Sequence, residues 1–139
     1  MCIRDRINIM SGISPKLPLA KSSEDGYWGL TKTITEAIKQ NLKNLILTIP
    51  GERVMMPSFG VGLKQYLFEN QNAFVLEEVK ARILQQTSIY MPSVIIEDIQ
   101  TIDNPEQKIL NGQHGVAIKI LYRIEPLSFD DELNIEVEG

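Results

Sequence analysis

Val116-Ala117-Ile118-Lys119-Ile120-Leu121-Tyr122-Arg123-Ile124 is the stretch that decides the fold class. Val116, Ile118, Ile120, Tyr122 and Ile124 alternate with Ala117, Lys119, Leu121 and Arg123. That is period two over the whole segment, the pattern of a strand with one face on a core. Upstream, Val94 to Ile102 is β-branched and rich in isoleucine, which predicts a second strand. Between the two, Asp103 to Gly115 is a long polar connection. Downstream, Glu125-Pro126 breaks the pattern. Leu133, Ile135 and Val137 then alternate with Asn134, Glu136 and Glu138, a third strand. Strands that follow one another without an intervening helix predict an antiparallel meander.

The residues before Val94 carry a different period. Ile34, Ala37, Ile38, Leu42, Leu45 and Ile46 recur at helical spacing. Thr31 or Thr33 can cap that helix, and Glu36 stands three after Thr33, as in a capping box. Thr48-Ile49-Pro50-Gly51 stops it, because Pro50 cannot continue a helix and Gly51 permits a turn. Leu63 to Phe68 reads as a short helix with Leu63, Leu67 and Phe68 inward. Asn72 can cap a longer helix, of about eighteen residues by its periodicity, with Ala73, Leu76, Val79, Ile83 and Leu84 as its stripe, ended by Pro92. Helices first and a meander after give an α+β fold, with helices on one face of a small three-stranded, mainly antiparallel sheet. Residues 1–29 read as an N-terminal arm and 30–139 as a single domain. Ser14-Pro15-Lys16-Leu17-Pro18-Leu19 favours an extended path for the arm, which Leu17, Leu19 and Trp28 could pin to its own domain or to a neighbour. Met1 to Arg6 has no apolar stretch behind it, is not expected to be a signal peptide, and reads as an artefact of the gene boundary.

The 139 residues are 43% hydrophobic and 23% charged, the composition of a globular chain. The longest apolar run is about five residues, against roughly 20 needed to span a bilayer, so no membrane insertion is expected. The single cysteine, Cys2, excludes an internal disulfide, and the single histidine, His114, excludes a His-based metal cage. His114 lies in Asn111-Gly112-Gln113-His114-Gly115 and reads as a solvated turn residue. No catalytic residue, metal or cofactor is expected. The net charge of −4 is unevenly placed: residues 1–66 hold nine basic and five acidic side chains, residues 67–139 five and thirteen. Such polarity suits head-to-tail docking between unlike proteins, and equally a merely soluble surface. The lysines are scattered without aromatic interleaving, so nucleic acid is not expected as a partner.

Two features stand out as candidate partner-binding sites. The segment from Pro50 to Gly62 mixes turn formers, charge and bulky apolar groups, and contains Glu52, Arg53, Phe59 and Gly60. Arg53 offers a planar fork of donors suited to a carboxylate or to backbone carbonyls. The Glu52-Arg53 pair is open to two readings, an anchor for another chain or a local ion pair tying the loop to its own helices. Gly60 and Gly62 suit a turn needing positive φ, or close packing beside Phe59. Neither a Walker motif nor GxGxxG is present. The second feature is the last strand, with Leu133, Ile135 and Val137. Lying at a sheet edge, it either receives a strand from another chain or is protected by its acids, Asp130, Asp131, Glu132, Glu136 and Glu138.

Thr48-Ile49-Pro50-Gly51-Glu52-Arg53, then Pro57-Ser58-Phe59-Gly60-Val61-Gly62-Leu63, then Tyr66-Leu67-Phe68-Glu69, in that order, resemble the baseplate wedge family of contractile phage tails. This is the gene-25-like, or lysozyme-like, family, related to a baseplate component of type VI secretion systems. The resemblance spans residues 13–139. It implies a non-enzymatic structural role in the tail baseplate of a virion assembled in the host cytoplasm. It also implies hetero-oligomeric assembly, with docking to two larger wedge proteins and strand exchange with the first ring of the tail sheath. Glu52 and Arg53 match the charged end of the family's Glu-Pro-Arg motif, with no proline between them here. The resemblance moves Glu52, Arg53 and the last strand towards the docking reading. Its rivals are a peptidoglycan-cleaving enzyme using Glu52 and Glu69, and a regulatory binder like the anti-adaptor that shares the fold.

Overall fold

The computed structural model describes residues 12–23, 27–68, 73–102, 115–125 and 127–138. Cys2, Glu69, Asn72, most of the connection after Ile102, His114 and Pro126 lie outside the described residues. Two compact units divide within the first helix, one ending at Asn41 and the other starting at Leu42.

In the first unit, β1 (Ser14–Pro15) pairs antiparallel with β2 (Leu30–Thr31), and Lys21 bridges to Trp28. The arm is therefore a small ribbon closed on itself. A side-chain amide ties it to α1 (Ile34–Leu47): Leu17 N–H donates to Gln40 Oε1 at 2.8 Å, and Gln40 Nε2 donates to the Pro15 carbonyl at 2.9 Å. Leu17, Leu19 and Trp28 are exposed, so within the chain a polar clamp does the pinning, and of their two expected roles contact with a neighbour is the one left to them. Thr33 caps α1 by accepting from Glu36 N–H at 3.3 Å. The Glu36 carboxylate reaches one residue further back than a capping box requires, to Lys32 N–H at 3.3 Å.

The second unit holds the sheet. β3 (Val94–Ile102), β4 (Gly115–Ile124) and β5 (Phe129–Glu138) form an antiparallel meander in that order, with β4 central. Ile118 lies opposite Ile135 and Ile120 opposite Leu133, so the alternating positions read from the sequence share one face. Ile118, Ile120, Tyr122, Ile124, Leu133, Ile135 and Val137 are all buried there. Helix α2 (Ala73–Tyr90) and the end of α1 supply Val79, Ile83, Leu42, Leu45 and Ile46 to the core. A short 3₁₀ helix (Leu63–Phe68) adds Leu63. Each such side chain is worth about 1.5–3 kcal/mol of burial. The other sheet face is closed by charge: Arg123 pairs with Glu97 at 2.6 Å and Asp130 at 2.7 Å, and Lys119 with Glu132 at 2.6 Å.

Two helical positions depart from their expected stripes. Ile34 is 58% exposed and Leu84 49% exposed. On α2 the buried stripe runs instead through Val79, Ile83 and then Gln86 and Thr87, which keep the 3.6-residue spacing but are polar. Gln86 is inside because its Oε1 accepts the Gly60 N–H at 3.1 Å. The Leu67, Phe68 and Ala73 side chains lie outside the described set.

Gly60 is the tightest point of this seam. Its φ is 112°, and a Cβ there would overlap the Thr48 carbonyl oxygen and lie 2.9 Å from its carbon. Gly60→Ala is expected to cost at least about 2 kcal/mol, read as a lowered urea midpoint, because strained φ and backbone overlap act together. Gln86→Leu should cost about 1–3 kcal/mol in the same assay, by leaving a buried N–H unpaired.

Tyr122, buried on the central strand, donates its hydroxyl to Asp131 at 2.9 Å. Burial first, then that hydrogen bond and the Asp131 charge, push the phenol well above its ordinary value of 10.0. The folded chain thus holds this proton at pH values where the unfolded chain releases it. Its contribution to stability is intact below about pH 10 and is lost as pH rises further. The thermal midpoint should fall more steeply above pH 10 in the unmodified protein than in Tyr122→Phe.

Candidate docking site

The chain leaves α1 at Leu47 and turns at Pro50-Gly51, where Gly51 takes φ 94°. Two reciprocal bonds fix the turn: Glu52 N–H donates to the Ile49 carbonyl at 3.1 Å, and Ile49 N–H donates to Glu52 Oε2 at 3.1 Å. Gly51 N–H then donates to the Pro57 carbonyl at 2.9 Å, and Phe59 N–H to the Met56 carbonyl at 3.1 Å. The loop from 51 to 57 is thereby closed at its base. Its return limb is sewn to the helices by Val61 N–H donating to the Leu45 carbonyl at 3.1 Å, and by the Gly60–Gln86 bond.

On this base stands a row of stacked groups. The Phe59 ring meets Tyr90 edge-on, with centroids 4.9 Å apart at 69°, and Ser58 Oγ lies 3.1 Å from the Tyr90 hydroxyl. The Arg53 guanidinium lies over the Phe59 ring, 4.0 Å from its centroid. Such a stack is worth about 0.5–1 kcal/mol at an exposed site. Glu52 and Arg53 do not pair with each other, and among the described residues no carboxylate lies in ion-pair reach of Arg53. Glu52 works within the turn, while Arg53 is held on an aromatic shelf facing water. Phe59 is half-buried beneath it, and Gly60 is buried.

Sequence reasoning passed over the tip. Val54 and Met55 are each 93% exposed, and Met56 is also exposed. Three large apolar residues in a row inside a Pro/Gly segment were the available signal. Tyr90, which carries Phe59, was missed as well; it sits on α2 at helical spacing from Ile83 and Gln86.

The second feature lies elsewhere in the same unit. β5 is an edge strand, paired with β4 on one side. Leu133, Ile135 and Val137 point into the core, so their side chains are not offered to another chain, and only the main chain of β5 and its outward acids are. The 3₁₀ helix lies close to β5. Among the described residues no three His, Cys, Asp or Glu side chains gather as metal ligands, and no helix is long and apolar enough to cross a membrane.

The model of the baseplate wedge protein gp25 family matches residues 32–126, well over half of the chain. No curated protein matches it. Among solved structures, a candidate tail lysozyme from Geobacter sulfurreducens superposes with a TM-score of 0.63 at 21% identity, covering 78% of this chain and 94% of that one. A chain of the anti-feeding prophage baseplate superposes with a TM-score of 0.56 at 24% identity, covering 86% of this chain and 79% of that one. At these identities both neighbours bear on the fold, whose helices over a three-stranded antiparallel sheet they share. The family match covers the closed loop, α2 and the first two strands of the meander, and by it the chain belongs to the baseplate wedge protein gp25 family, as a baseplate component of a contractile, phage-tail-like particle.

Proposed function

We propose that the chain is a non-catalytic adaptor, assembled in the host cytoplasm, whose closed loop fastens it to larger wedge subunits and whose last strand receives a strand from the first sheath subunits. The observation that carries the docking half is Arg53: a guanidinium fixed on Phe59, exposed, with no carboxylate in reach among the described residues. An arginine set on an aromatic face keeps its edge donors directed at whatever chain approaches, with less rotamer freedom to lose on binding. The sheath half rests on the place of β5 at the sheet edge. An unpaired edge offers main-chain groups that fix a partner strand in register.

The enzymatic rival would need two carboxylates about a cleft. Glu52 already accepts the Ile49 N–H, and Glu69 lies outside the described residues. The structural reading is preferred because Glu52 has a mechanical task in the turn.

Arg53→Glu should abolish co-purification with the wedge proteins of the same particle while circular dichroism keeps the folded spectrum and the thermal midpoint falls by no more than the few degrees the lost stack is worth; undiminished assembly overturns the site. The amides of β5 that face away from β4 should exchange with solvent quickly in the free protein and slow at least tenfold on adding sheath protein. Purified protein should leave the turbidity of a peptidoglycan suspension constant, and clearing would return the chain to the enzymes.

A further inference from the structure

We infer that Val54 and Met55 form an apolar plug that seats in an apolar socket of a different baseplate subunit, a socket bearing a carboxylate at its rim for Arg53, while Glu52 only positions the plug. This rests on the docking reading above and specifies its chemistry.

Both plug side chains are 93% exposed, next to each other, on a loop that is not free to fold them away. The bonds from Gly51 to the Pro57 carbonyl and between Ile49 and Glu52 close the loop beneath them. Large apolar groups held rigidly in water mark an interaction site, and a preorganised anchor loses little entropy on binding. Met55 suits a socket of irregular shape, since its unbranched thioether adapts to its surroundings. The Phe59 ring covers one face of the Arg53 guanidinium, so recognition falls to its edge donors, which a carboxylate meets in the fork geometry.

A carboxylate rim could in principle come from the acidic β5 of a second copy. The described acids at the start of that strand are engaged within their own chain, Asp130 with Arg123, Asp131 with Tyr122 and Glu132 with Lys119. Under the docking reading a larger wedge subunit is the occupant, and a second copy, whose Glu77, Glu78, Glu125 and Glu136 are exposed, is the outcome that would displace it.

The test measures binding of the full chain to the purified larger wedge proteins of the same particle by titration calorimetry, with the thermal midpoint of every variant alongside. Met55→Ser should raise Kd at least tenfold with an unchanged midpoint. Leu127→Ser, an exposed apolar side chain outside the loop, should leave Kd as it is. Glu52→Ala should weaken binding, and Glu52→Gln, which keeps an acceptor for Ile49 N–H, should restore it. An unchanged Kd for Met55→Ser beside lost binding for Arg53→Glu overturns the plug and leaves the docking site standing. No effect of either variant, or no binding by the unmodified chain, overturns both. Loss in Glu52→Gln equal to that in Glu52→Ala overturns the positioning role. A concentration-dependent dimer of the unmodified chain that Met55→Ser dissolves shows a second copy in the socket and overturns the choice of partner.

Discussion

The amide of Gly60 and the carboxamide of Gln86 hold this molecule's working parts together. Where the chain returns from the loop it passes so close to Thr48 that no side chain fits, and the exposed limb is joined there to a buried position on α2. The bond is inside the protein, where a hydrogen bond is stronger and its loss costs more than at the surface. A strongly exposed segment from 51 to 57 can be rigid because the Gly51–Pro57 bond closes its base and its returning limb is anchored twice, at Leu45 and at Gln86. The stack of Arg53 on Phe59 and of Phe59 on Tyr90 continues the same join outward. Stability and presentation are thus served by one seam.

How much of this was legible depends on which residues carry the signal. The meander was plain, because Val116 to Ile124 alternates and its pairing with β5 keeps that alternation in register. The elements Val94–Ile102 and Ala73–Tyr90 were legible from β-branched content, helical period and Pro92. The inward face of α2 was legible in its first half, at Val79 and Ile83, and not in its second. Periodicity counts apolar residues, and its lower half is lined by Gln86 and Thr87, one of them inside for the sake of a glycine 26 positions away. Leu84 was placed inward by the same rule and lies outside. Gly60 and Gly62 were read as glycines for a positive φ or for packing beside Phe59; both take positive φ, 112° and 74°, and the close neighbours are Thr48 and Pro50. The aromatic shelf beneath Arg53 needs Tyr90, remote in sequence, and no local pattern announces it.

The same comparison separates two kinds of exposed surface. The outer sheet face carries a cross-strand lattice of Glu97, Arg123, Asp130, Lys119 and Glu132. Each pair adds little stability, but together they make a hydrated face that repels casual contacts. The loop tip has the opposite character, apolar and fixed. The chain thus distinguishes a face to be left alone from a point to be grasped.

The bulge in β3 has its own consequence. Ile96 lies opposite Tyr122 and Asp98 opposite Leu121, so Glu97 is an extra residue on its strand. That insertion lets Ile96 and Ile99 share the inner face although three positions separate them, and it aims Glu97 at Arg123. A descendant that lost Glu97 would recover plain alternation, with Ile99 still opposite Ile120, but would release Arg123 from one of its two acids. The extra residue is therefore there for the outer face and not for the core: a strand shorter by that one residue keeps its buried side and loses an acid from its wet one.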